Sequence, residues 1–222
     1  MQVNALAPGV MAEEARRLNA LLVHYSTDYV FDGTNPEPYV EDDVPNPLNA
    51  YGRTKLEGER AVAAAGCQHL ILRASWIYSA TGTNFVLTML RLAREKKELA
   101  IVEDQIGSPT SAKALALATT ELLGKIKGTL PEQGIFHLSA AGHVSRLDFA
   151  RRIIAIAQQL SGSAQGWAAL RPTTTAQFPL PAARPLNAAT SKEKIKRVFG
   201  IEMGHWEAQL AAFLQESQPH RT

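Results

Sequence analysis

Leu21, Leu22, Val23, His24 and Tyr25 run without a break into Ser26, Thr27 and Asp28. An apolar run that ends in small polar residues is the pattern of a parallel β-strand whose carboxyl end opens at a sheet edge, where α/β proteins bind ligands. Ahead of it, Val3, Leu6, Val10, Met11 and Ala15 recur at helical spacing and predict a helix over 3–19. The segment 32–49 carries Pro36, Pro38, Pro45 and Pro47, which exclude a helix there. A helix over 50–65 then ends near Gly66, and a second apolar run occupies 69–73. Helix, strand, helix, strand is the rhythm of a chain that builds a parallel sheet.

The rest of the chain predicts a helix over 84–97, a strand over 99–102, a helix over 111–125 and a strand over 135–138. Ser145 with Asp148 three residues on reads as a capped helix start, running to about 160. The segment 161–189 is rich in Pro, Thr, Ser and Ala, but Phe178, Arg184 and Asn187 mark it as a structured, substrate-facing loop rather than a linker. Short helices over 191–199 and 205–216 close the chain, and no internal repeat is present. With 222 residues, 45% hydrophobic and 20% charged, there is enough material for one large domain or a domain with a small lobe. No apolar run is long enough to cross a bilayer, so no membrane is expected. One cysteine, Cys67, and an N-terminus without a basic-then-apolar leader point to a reducing cytoplasm. A net charge of +2 gives no footprint for nucleic acid. His24, His69 and His137 sit in or beside apolar strands and read as core histidines, and with no ligand-spaced Asp, Glu and His cluster no catalytic metal is expected.

Chemistry concentrates at Tyr51-Gly-Arg-Thr-Lys55. Residues four apart share a helix face, so a lysine ammonium beside the phenol would draw a pKa of about 10 toward neutrality and suit proton exchange with an alcohol or ketone oxygen. The ordinary reading is an unremarkable helical pair. Thr27, 24 residues upstream, ends a strand at the same carboxyl edge, which lets Thr27, Tyr51 and Lys55 converge. Taken singly, Thr27 is equally a cap hydroxyl and Asp28 a turn residue. Arg184, in a Pro-flanked loop, is either a surface cation or a bidentate grip for a diphosphate. Gln105, Ser108 and Thr110 fit a polar loop near a substrate or a simple turn before the next helix. None of the 15 glycines lies two or three residues from another, so no Gly-x-Gly-x-x-Gly turn for a dinucleotide is present.

Three stretches carry a specific likeness: His24-Tyr-Ser-Thr-Asp-Tyr-Val-Phe-Asp-Gly33, Pro47-Leu-Asn-Ala-Tyr-Gly-Arg-Thr-Lys-Leu-Glu-Gly-Glu59 and Arg73-Ala-Ser-Trp-Ile-Tyr78. With Asn84-Phe85, Asp104-Gln-Ile-Gly-Ser-Pro-Thr110 and Arg184-Pro-Leu-Asn187, the chain resembles the dTDP-4-dehydrorhamnose reductases, extended short-chain dehydrogenases/reductases of nucleotide-sugar metabolism. The resemblance implies an α/β fold, a partial Rossmann-type doubly wound parallel sheet with a smaller C-terminal substrate-binding lobe. Residues 1–140 would be the remainder of the dinucleotide-binding domain, with 84–110 on the substrate side, and 141–222 mainly the lobe. It implies reduction of a dTDP-sugar ketone with NADPH or NADH, and possible pairing as a homodimer. Tyr51 takes the place of the catalytic tyrosine, Lys55 of the lysine and Thr27 of the serine-or-threonine, all three also touching the cofactor. Lys55 is expected to lower the Tyr51 pKa. Asp28, Trp76, Asn84, Gln105 and Arg184 fall at substrate-binding positions.

The family's opening strand, glycine-rich turn and helix have no counterpart, so the sequence reads as truncated: a fragment, a misplaced start or half of a split protein. That reading expects impaired cofactor binding, an unpaired edge on the first strand and an aggregation-prone product. Two alternatives stay open: a non-catalytic binding subunit resembling the β subunit of methionine adenosyltransferase, and a reductase or epimerase of another nucleotide sugar.

Overall fold

The computed structural model describes residues 1–128 and 130–217. Its strands are β1 (Leu22–Thr27), β2 (His69–Ala74), β3 (Ile77–Tyr78), β4 (Glu98–Val102), β5 (Ile106–Gly107), β6 (Thr110–Ser111), β7 (Gly134–His137), β8 (Val144–Ser145) and β9 (Ala169–Thr173). The helices are α1 (Ala7–Arg17), α2 (Ala50–Ala64), α3 (Phe85–Glu95), α4 (Ala112–Lys125), α5 (Arg146–Ser161), α6 (Glu193–Phe199) and α7 (Trp206–Glu216).

Both apolar runs become strands of one parallel sheet of order β1-β2-β7. Thr27 stands opposite Ala74, so the two polar carboxyl ends lie side by side. Every residue of β2 is buried, as a central strand covered on both faces requires. Leu70, Leu72 and Ala74 join Leu122 of α4 and Phe199 of α6, whereas Ile71 joins Ala12 of α1 and Val62 of α2. Each such fully buried leucine contributes about 2 kcal/mol of transfer free energy. β1 lies at the end of the sheet order, and Tyr25 is 40% exposed.

Two β2 side chains, His69 and Arg73, depart from that apolar pattern. Arg73 reaches back to Glu59 of α2, with Nε to Oε1 at 3.0 Å and Nη2 to Oε2 at 2.7 Å, and both side chains are at most 2% exposed. Ser26 of β1 donates to the same Oε1, so one carboxylate ties α2 to two strands. The start of α2 is fixed as tightly. Asn49 accepts from the Gly52 amide at 2.8 Å, and a Cβ at Gly52 would collide with the Tyr29 carbonyl.

A second core lies beyond the sheet, where Val86 and Met89 of α3, Leu147 and Phe149 of α5, and Trp206 and Leu210 of α7 pack together. β4 and β9 pair in parallel at its margin.

Several expectations need correction. The helix placed over 3–19 begins as a π-helical turn, Gln2–Leu6, because Pro8 has no N–H to continue an α-helical ladder into that turn. The segment 161–189 contains β9, whose Ala-Leu-Arg-Pro-Thr shows no alternation; Pro172 is tolerated there because β9 has one strand neighbour. Within 141–217, α5 and α7 pack into the second core, whereas Ile195, Phe199 and Ile201 cover the sheet. Among the described residues no helix is long and apolar enough to cross a membrane.

Leaving Arg73 buried without its partner costs about 3–5 kcal/mol. Urea unfolding of Glu59→Ala should show a loss of that size, and the joint replacement Glu59→Leu with Arg73→Met should recover most of it. The exposed Glu57–Arg60 pair supplies the control, since Glu57→Ala should shift stability by less than about 1 kcal/mol.

Candidate active site

Three elements meet at the carboxyl edge of the sheet: the end of β1 with the 3₁₀ turn Asp28–Val30, the first turn of α2, and the segment after β2. Thr27 lies in the first, Tyr51 in the second and Trp76 in the third. Together with Asp28 and Arg146 they bound a cavity of about 280 Å3. A neighbouring cavity of about 340 Å3 is walled by Trp76, Tyr78, Phe85, Phe149, Arg146 and Arg184. A third, about 120 Å3, includes Gln105, Phe178, Leu180 and the same two arginines.

Thr27 is 5% exposed and lies beside Tyr51, which is half exposed. Burial pushes the Tyr51 pKa up, Asp28 and Tyr29 add to that rise, and the nearby Thr27 hydroxyl opposes it. The expectation that Lys55 draws this pKa down is therefore not met. The Lys55 ammonium is taken by β1, donating to the Tyr25 carbonyl at 2.5 Å and lying 3.4 Å from His24 Nε2. Burial lowers the Lys55 pKa while Glu59 raises it. Burial, with help from Lys55, brings His24 down to about 4, so the imidazole is neutral at physiological pH and accepts from the ammonium.

Asp28 is 2% exposed; Ser75 donates to it at 2.6 Å and Thr27 at 3.1 Å. Burial still dominates and lifts its pKa to about 6. Trp76 has φ +42°, the left-handed region that a bulky residue seldom enters. Its indole lies where a Cβ on Gly107 would sit, and the Arg146 guanidinium stacks 3.6 Å from its ring centroid. Gln105 is buried and donates to Thr175 at 3.0 Å. Asn84 stands apart from these three cavities: it caps α3, accepting from Leu87 N at 3.1 Å and donating to the Ser79 carbonyl at 2.8 Å.

Tyr29, Ser75, Gly107 and Arg146 belong to the site but carried no functional reading in the sequence. Arg146 had a detectable signal: a cation at the first position of a helix opposes the helix dipole.

The family described as RmlD substrate binding domain matches residues 1–218. The chain belongs to that family. The dTDP-4-dehydrorhamnose reductase of Burkholderia thailandensis is 43% identical over 210 residues, covering 92% of this chain and 70% of that relative. The Escherichia coli K12 reductase is 37% identical over 214 residues, covering 96% of this chain and 71% of the relative. A crystal structure of the Bacillus anthracis reductase in complex with NADP superposes with a TM-score of 0.86 at 35% identity, covering 96% of this chain and 72% of that one. The α/β fold with parallel sheets read from the sequence is that of this RmlD-family structure.

Two outcomes test this geometry. Folded Asp28 holds its proton more tightly than an unburied aspartic acid with pKa 3.8, so its favourable contribution to folding is complete below pH 3.8 and is lost as pH rises through about 6. The stability of Asp28→Asn relative to the unaltered chain should therefore increase across that window; parallel pH profiles would contradict it. Gly107→Ala should displace the Trp76 indole, altering near-ultraviolet dichroism and costing about 1–3 kcal/mol in urea unfolding.

Proposed function

We propose that this chain reduces the 4-keto group of dTDP-4-dehydro-L-rhamnose to give dTDP-L-rhamnose, using NADPH or NADH. The observation that carries the reading is the convergence of Thr27, Tyr51 and Lys55 at the carboxyl edge of the sheet, beside cavities bordered by Trp76, Gln105 and Arg184. Relatives at 37% and 43% identity named dTDP-4-dehydrorhamnose reductase support it, as does the NADP complex of a similar structure.

The residues present fit the nicotinamide end of such a cofactor. Tyr51 offers a half-exposed phenol, and Lys55 an ammonium one helical turn further on, both beside the end of β1. Lys55 and Tyr51 would hold the nicotinamide ribose. When bound, the reduced nicotinamide supplies a hydride to the carbonyl carbon.

The protein's own part is proton delivery and orientation. Burial keeps the Tyr51 phenol protonated at neutral pH, so it enters as a general acid and gives its proton to the carbonyl oxygen as negative charge develops there. Thr27, buried beside it, orients that oxygen. The bond from Lys55 to the Tyr25 carbonyl holds the first turns of α2 against β1 and so fixes the phenol. Asp28 and Trp76 flank the sugar, and Gln105 and Arg184 serve the nucleotide side. Asn84 acts through α3, whose next residue, Phe85, walls the aromatic cavity. A cytoplasmic setting accords with a single free cysteine, Cys67.

Turnover of dTDP-4-dehydro-L-rhamnose, followed by nicotinamide oxidation and product chromatography, tests the reading. Tyr51→Phe should lower kcat by about 10²- to 10⁴-fold while leaving dTDP binding intact. Undiminished turnover in Tyr51→Phe, or faster turnover of a different nucleotide 4-keto sugar, would overturn the proposal.

A further inference from the structure

Arg146 is the first residue of α5, is 9% exposed, and forms no ion pair with a carboxylate among the described residues. Its Nε has no hydrogen-bond partner. Tyr29 and Asp28 favour its charge, but Arg184 is close enough to oppose it. A guanidinium remains protonated in a protein, so this is a buried cation placed against a helix dipole and near a second cation. Such an arrangement is costly unless an anion completes it.

The surroundings say which anion. Arg146 borders all three cavities of the site, Arg184 borders two of them, and Asp28 is the one carboxylate on any of their walls. On one side lies the polar cavity with Thr27 and Tyr51, and on the other the aromatic cavity with Tyr78, Phe85 and Phe149. A nucleotide sugar has the same order: a polar sugar, a doubly charged link and a flat nucleoside.

We propose that Arg146 is the residue that grips the diphosphate, its guanidinium stacked on Trp76 and presented at the junction between the Tyr51 cavity and the aromatic cavity. This rests on the nucleotide-sugar reading above and deepens it. The stack on Trp76 and Phe85, at 3.6 and 4.8 Å from their ring centroids, fixes the plane of the fork before ligand arrives. Arg184, on a loop, closes on the same link from the other wall.

Calorimetric titration of the 222-residue chain with dTDP and with thymidine separates the outcomes. Arg146→Met, which keeps length and apolar contact, should weaken dTDP binding about 10- to 100-fold and leave thymidine binding unchanged. Arg146→Lys should fall between Met and the unaltered chain, because it keeps charge but loses the fork; it carries the comparison if the Met variant fails to give a native dichroism spectrum. Unchanged dTDP affinity, or equal weakening of dTDP and thymidine, overturns the role of Arg146 while leaving the functional reading in place. Failure of the unaltered chain to bind either compound overturns both.

Discussion

The site depends on the buried pairing of Glu59 with Arg73. Two full charges at no more than 2% exposure cost several kcal/mol each to desolvate, and the bidentate contact with its added Ser26 donor is what offsets that. Hydrophobic burial alone would let α2 slide over the sheet, since apolar contacts are not directional. A fork between fixed oxygens does not. It joins the helix that carries Tyr51 to the strand that ends at Thr27 and to the strand that leads into Trp76. Asn49 and the Gly52 contact then set the first turn.

A second constraint runs through the ionisable groups above that pair. Burial pushes Tyr51 and Asp28 toward their neutral forms, brings His24 down to about 4, lowers Lys55 and takes Lys192, beside Ser108, to about 8. A weakly polarisable environment of this kind strengthens each hydrogen bond aimed at a developing alkoxide. Arg146 is the exception because a guanidinium does not escape by losing its proton. Its retained charge, in surroundings that suppress charge elsewhere, distinguishes a place for an anion from a place for a proton transfer.

Much of this was legible in the chain. Thr27 and Tyr51 were readable because each belongs to a local pattern, a strand end and a helix start, that a parallel sheet brings to one edge. The alternating strands and helices likewise declared themselves by apolar period. Glu59 and Arg73 did not, since a glutamate on a helix and an arginine closing a strand look like solvent-facing residues until their partner is known. Gly107 carried no local signal, as its role is to leave room for an indole 31 residues earlier. β9 and the two-residue strands were hidden because they are too short or too irregular to show a period. The direction of the Tyr51 shift was misjudged for a similar reason: spacing places Lys55 on the right face but does not reveal that a backbone carbonyl claims its ammonium.

If the β1 edge and the start of α2 act together on one sugar oxygen, both should touch that oxygen in a product complex. A crystal structure of the chain with dTDP-L-rhamnose tests it most directly. The sugar 4-hydroxyl should lie within hydrogen-bond reach of both Tyr51 Oη and Thr27 Oγ1, with the rest of the sugar against Asp28 and Trp76. A sugar seated elsewhere, or a 4-hydroxyl directed away from Tyr51, would contradict it.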